Sequence, residues 1–231
     1  TLLNTSVIQF NEKDFVGSER SAIDALKILK KTNNDALTYE ANNLLGVIYH
    51  EISEFNNAIQ YHKAALLILK KQNVPFEYQS EATSLNNLGV VYQKNKQFDN
   101  ALKYYDEALK SENLYKDKII LYATLIDNSA YCKFRLKQFK TIPNDFYKAL
   151  KINDSIKYAP GIINNKLNLS EFYEYQNKIP LSQKFAKEAY SLAKDKKLSN
   201  EELFALKQLS KVDPEHSSFY SEEYIRINDS L

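Results

Sequence analysis

The 231-residue chain has no methionine, no tryptophan and one cysteine, Cys132. A lone cysteine excludes an intrachain disulfide and leaves the redox compartment open. Glycine and proline are scarce, at four and five residues, which leaves little room for β-turns or long loops. The longest uninterrupted apolar run, Ala64–Leu69, is far too short to span a bilayer. Neither sign of charge is in excess, and a formal net charge of +2 gives no electrostatic footprint for nucleic acid or an anionic membrane. The three histidines, His50, His62 and His216, share no metal-ligand or catalytic spacing with each other or with Cys132. No glycine-rich phosphate loop exists. No catalytic residue, metal ligand or cofactor site is therefore expected, and the chain is not expected to be an enzyme. The missing methionine makes it the expected fragment of a longer or processed protein.

What the chain does have is a period. Residues 85–109, LNNLGVVYQKNKQFDNALKYYDEAL, read as two amphipathic helices joined by a tight turn. Leu85, Leu88, Gly89 and Tyr92 fall on one helical face, as do Phe98, Ala101, Tyr105 and Ala108. A small residue, then nine steps to an aromatic or aliphatic, then ten to an alanine gives Ser6–Phe15–Ala25, Gly46–Phe55–Ala65 and Gly89–Phe98–Ala108. The count continues through Ala130–Phe139–Ala149 and Ser170–Ile179–Ala189, and ends in the degenerate Ser210–Phe219–Asp229. Successive alanines from Ala25 to Ala189 lie 40, 43, 41 and 40 residues apart, so the length variation falls between hairpins. A rigid unit with elastic joints is a repeat array.

The pattern Gly46, Tyr49, Ala58, His62, Ala65 and its echo Gly89, Tyr92, Ala101, Tyr105, Ala108 resembles the tetratricopeptide repeat (TPR) family. Ile142 and Ser182 depart from the usual alanine, and the period is longer than the family's common one. The resemblance implies an all-α, right-handed superhelix of antiparallel hairpins. It gives a single array of about six repeats, near residues 1–33, 34–73, 74–112, 113–156, 157–197 and 198–231. Asn33-Asn34 is expected to cap a helix, Val74-Pro75 to punctuate a joint, and Leu114–Leu136 to form one helix. Pro143 forces the helix after it either to start late or to kink. Ser199-Asn200-Glu201-Glu202 has capping-box spacing.

Two residues before each small residue lies about 200° around the helix from the core stripe. That position holds Asn4, Leu44, Asn87, Asn128, Asn168 and Gln208. Asparagine is a mediocre helix former, so its recurrence on an exposed face asks for a reason. In TPR proteins this stripe lines the concave surface, and in members that bind extended peptides an asparagine there grips the ligand backbone. An amide suits that task because it offers a donor and an acceptor in one plane. The resemblance thus implies a ligand groove of Asn87, Asn128 and Asn168, with Lys94, Tyr131, Phe134, Arg135, Glu171 and Tyr175 supplying selectivity. The alternative is that the asparagines bond to each other or to neighbouring helices.

The last stretch, FYSEEYIRINDSL from Phe219, resembles the closing helix of TPR regions in bacterial membrane-anchored sensor kinases and helix-turn-helix regulators. Two functions follow. One is a sensory or regulatory module whose groove captures a peptide or protein segment; the other is a constitutive assembly scaffold. The expected partners are protein or peptide, with neither nucleic acid nor membrane insertion through this region. A periplasmic location goes with the membrane-anchored sensor and a cytoplasmic one with the remaining readings.

Overall fold

The computed structural model describes residues 1–32, 34–71 and 81–230; the joint at Val74-Pro75 lies outside them, as does Asn33. Among the described residues the structure is all helix. The first of two compact units, Thr1–Glu112, contains α1 (Leu2–Asn11), α2 (Phe15–Leu29), α3 (Asp35–Glu51), α4 (Phe55–Lys70), α5 (Glu81–Lys94) and α6 (Phe98–Ala108). The second, from Asn113 on, contains α7 (Leu114–Asp117), α8 (Ile119–Arg135), α9 (Asn144–Ser155), α10 (Ala159–Tyr175), α11 (Ile179–Asp195), α12 (Ser199–Val212) and α13 (Ser217–Asn228). The hairpins are α1/α2, α3/α4 and α5/α6 in one unit, and α8/α9, α10/α11 and α12/α13 in the other. Among the described residues no helix is long and apolar enough to cross a membrane.

Two boundaries differ from the sequence reading, and at Pro143 the structure takes one of its two alternatives, the late start. The stretch Leu114–Leu136 is two helices, because Lys118 adopts φ −141° and ψ 58° and breaks the run. Pro143 delays its helix: Phe139–Thr141 forms a 3-10 turn and α9 begins at Asn144. Ser199 lies within α12, whose cap residue Leu198 supplies no side-chain bond, so no capping box forms there. Asn34 does cap α3, its Oδ1 accepting from the Leu37 N–H at 3.0 Å.

The scarcity of glycine has a structural counterpart. In five hairpins the turn residue is left-handed yet is Lys13, Ser53, Lys96, Lys137 or Asn177, and no glycine has positive φ. Each turn closes with the N–H of the next residue bonded five residues back, as Gln97 N to Tyr92 O at 2.9 Å and Lys178 N to Tyr173 O at 2.8 Å. This is the Schellman closure, in which glycine is the usual left-handed residue.

Glycine serves packing instead. A Cβ on Gly89 would lie 2.3 Å from the Tyr105 ring, and one on Gly46 would lie 2.6 Å from the His62 ring. Each ring sits against a bare helix backbone, sixteen residues on in sequence. Two of the hairpins that start with serine, those of Ser6 and Ser170, solve the same contact differently. Ser6 and Ser18 exchange hydroxyl-to-carbonyl bonds at 2.7 and 2.8 Å, and Ser170 and Ser182 do so at 2.9 and 2.8 Å. There the position sixteen residues on is a buried alanine, Ala22 or Ala186. A second layer recurs three residues further along: Tyr49 stacks on Tyr61, Tyr92 on Tyr104 and Tyr173 on Phe185. In α8/α9 that layer is the ion pair Lys133–Asp145 at 3.3 Å. The repeat alanines, from Ala25 to Ala189, are all buried.

Candidate functional site

The first helix of each hairpin, helix A, presents one face to its own helix B and a second face away from it. In the second unit, α8, α10 and α12 are the helix-A elements, and they carry most of the expected site. Tyr131, Arg135 and Glu171 come together. The Arg135 guanidinium donates to the Tyr131 hydroxyl at 2.9 Å and lies 5.7 Å from that ring's centroid. The Tyr131 hydroxyl in turn points at Glu171 Oε2, 3.4 Å away. Burial pushes both the Tyr131 hydroxyl and the Glu171 carboxyl above their ordinary values, with Lys211 and Arg135 pulling Glu171 back. Tyr175 is 52% exposed at the end of α10 and packs edge-on against Phe134.

Phe134 is not a surface residue. It is buried against Phe172 and belongs to the core that includes Phe146 and Leu169. Four residues after Ala130 a side chain is only about 40° from the core stripe, so it turns inward.

The asparagines are placed by contacts between successive helices A. In the first unit Asn87, half-buried on α5, donates its amide to Asn43 Oδ1 on α3 at 3.0 Å. In the second, Asn168 on α10 donates to Asp127 Oδ2 on α8 at 2.8 Å. The register is the same: two before one small residue to three before the preceding one. Asn168 is buried, so the expected solvent-facing amide is an interhelical bond at that position. Asn128 is half-buried on α8, and Lys94 is exposed at the end of α5. For Gln208, at the corresponding place on α12, that register gives Leu167, whose side chain has no acceptor. It reaches Ser170 Oγ at 3.2 Å and Glu174 Oε2 at 2.8 Å.

Two residues of this face escaped the sequence reading. Phe204 on α12 is 59% exposed and stands six residues before Ser210, on the same helical azimuth as the asparagines. Asp127 is buried, and its carboxyl is pushed up to about 6 by burial, against the neighbouring amides of Asn165, Asn168 and Asn164. A signal for Asp127 was present: three residues before the small residue the chain carries Asn43, Asn86 and Asp127 in successive repeats. The described residues contain no cluster of three or more histidine, cysteine or acidic side chains placed to hold a metal ion.

A family model for the tetratricopeptide repeat matches residues 82–111, which hold α5 and α6. Around that segment the same hairpin, turn closure and buried alanines recur. This is a tetratricopeptide-repeat fold. The TPR likeness extends over nearly the whole chain in solved structures. The apo form of RapI is 13% identical, with 99% of this chain covering 82% of that one at a TM-score of 0.79. BtubC from P. vanneervenii is 16% identical, with 95% of this chain covering 91% of that one at a TM-score of 0.66. The Rap conjugation gene regulator of plasmid pLS20, solved in complex with the Phr* peptide, is 17% identical, with 87% of this chain covering 56% of that one at 0.69. No curated protein matches the chain in sequence. TPR folds of this kind generally serve as non-catalytic protein-interaction scaffolds.

Proposed function

We propose that this chain is a peptide- or protein-binding TPR module and that the helix-A face of α8, α10 and α12 receives an extended segment. The observation that carries the reading is the pairing of exposed aromatics with a polar floor. Tyr175 and Phe204 are more than half exposed, while Asn164, Tyr131, Arg135, Glu171 and Gln208 supply donors and acceptors on the same face. Their registers differ by eleven helical positions, about 16 Å along the helix direction, or about five residues of an extended strand. Large apolar side chains held in water beside convergent polar groups are a common form of interaction site. Structural neighbours that bind peptides, such as the pLS20 regulator with Phr*, support the same reading.

The module is further proposed to be the sensory or regulatory part of a larger signalling protein, on the strength of the closing helix from Phe219. The test of the binding face uses the purified chain and a pool of random hexapeptides, with retained species identified by mass spectrometry. The parent should enrich a subset, and Tyr175→Ala with Phe204→Ala should abolish that enrichment while leaving the helical spectrum unchanged. An unenriched pool, or equal enrichment by the double variant, rejects this face.

A further inference from the structure

This inference deepens the peptide-binding reading and rests on it. The helix-A clasp is made without charge in the first unit, where Asn43 accepts from Asn87. In the second unit the acceptor is Asp127, which is 2% exposed. Its Oδ2 receives the amides of Asn164 at 2.6 Å and Asn168 at 2.8 Å. The Asn165 amide also acts on the carboxylate, although Oδ1 makes no bond within hydrogen-bond geometry. Behind it Asn153 donates to Asn165 at 2.8 Å, and Asn153 Oδ1 is buried without a partner. The groups that act on this carboxylate are neutral amides, and none is a cation. A buried anion surrounded by neutral amides lacks the opposite charge that ordinarily makes burial tolerable. An asparagine would complete the clasp without that cost, as Asn43 does.

The three amides around the carboxylate differ in exposure. Asn164, which caps Oδ2, is exposed, whereas Asn165 and Asn168 are buried. Asn164 also stands at the same azimuth and height on α10 as Phe204 does on α12, within the proposed binding face. From this geometry we propose that the Asp127 carboxylate is a subsite for a cationic group of the bound segment, a guanidinium or ammonium, which enters by displacing the exposed amide of Asn164. The exchange replaces one neutral donor by a charge-assisted pair in a site with little competing water. Burial holds the carboxyl toward its protonated form, and an incoming cation relieves that.

The test titrates acetyl-arginine-amide, acetyl-lysine-amide and the neutral isostere acetyl-citrulline-amide into the 15N-labelled chain. The side-chain amide signals of Asn164 and Asn168 report binding. Arginine and lysine should shift both signals saturably, and citrulline should not. Asp127→Asn should weaken the response at least tenfold while melting no lower than the parent at pH 7. Asn164→Ala, which removes the gate and keeps the carboxylate, should bind the arginine probe more tightly. Equal shifts with citrulline, an unchanged response in Asp127→Asn, or no gain in Asn164→Ala each overturn the subsite. A hexapeptide pool enriched alike by parent and Asp127→Asn, without preference for basic residues, also overturns it while the binding face stands. A pool enriched by neither removes the face itself.

Discussion

His62 offers a sharp test of how the hairpin contact is built. Its imidazole fills the space over Gly46 that Tyr105 fills over Gly89, and it is buried with Nδ1 lacking a partner. Burial, aided by His50, holds its pKa down at about 4 against an ordinary 6.5. The depressed value fixes the sign. The unfolded chain takes up a proton near pH 6.5 and the folded one does not until about pH 4. The stability that depends on neutral His62 is therefore full above pH 6.5 and lost as pH falls toward 4. At pH 5 the difference amounts to about 2 kcal/mol, on about 1.4 kcal/mol per pKa unit. His62→Phe removes both the proton site and the orphaned nitrogen while keeping a ring over Gly46. Urea unfolding followed by circular dichroism should find the variant more stable than the parent by about 1 kcal/mol at pH 7, and by about 2 kcal/mol more at pH 5. A gap between variant and parent that is the same at both pH values would refute the reasoning.

Other perturbations probe the same framework. Tyr105→Ala should lose about 3–5 kcal/mol in urea melts, because a fully buried ring leaves a cavity against Gly89. Lys96→Gly should gain about 0.5–1 kcal/mol by relieving a left-handed lysine, and a variant that unfolds at lower urea than the parent would contradict this. Ser170→Ala and Ser182→Ala should each cost about 1–3 kcal/mol by orphaning a buried partner, whereas the double change should cost less than their sum. Asp213 is held at about pKa 2 by Lys187, His216 and Tyr220. Its depressed value means its contribution is present above pH 3.8 and disappears as pH falls toward 2, so Asp213→Asn should flatten the acid limb of the melting curve.

The repeat was legible because the hairpin has one length, and a fixed length leaves a fixed count. The turn at Asn95–Gln97, the late start after Pro143 and the burial of the repeat alanines all follow from residue type and spacing. The candidate site was harder to read, for a reason of direction. Spacing gives the azimuth of a side chain on its own helix but not the distance to the next helix. Asn168 was on the expected azimuth, yet α8 approaches closely enough for Asp127 to take its amide. Phe134 is expected beside Tyr131 in the groove, but four residues after Ala130 it lies only about 40° from the core stripe and turns inward. Phe204 and Asp127 were both visible as repeat positions; exposure gives the first its meaning and the bond from Asn168 the second.

The two ways of closing a hairpin have a consequence for how such an array changes over generations. A hairpin of the Gly46 kind holds a ring sixteen residues on and Ala58 twelve residues on; one of the Ser170 kind holds Ala186 and Ser182 in those places. Moving from one to the other takes three replacements. Each taken first is penalised: serine at Gly46 collides with His62, alanine at His62 leaves a hole, and serine at Ala58 buries a hydroxyl without its mate. The three positions are therefore coupled, and the α8/α9 hairpin holds a further combination of them, Ala130, Ile142 and Phe146. Copying a whole unit is then an easier route to a new repeat than editing an old one, and a recombinant that joins helix A of one kind to helix B of the other should fail even where every residue is native somewhere in the chain.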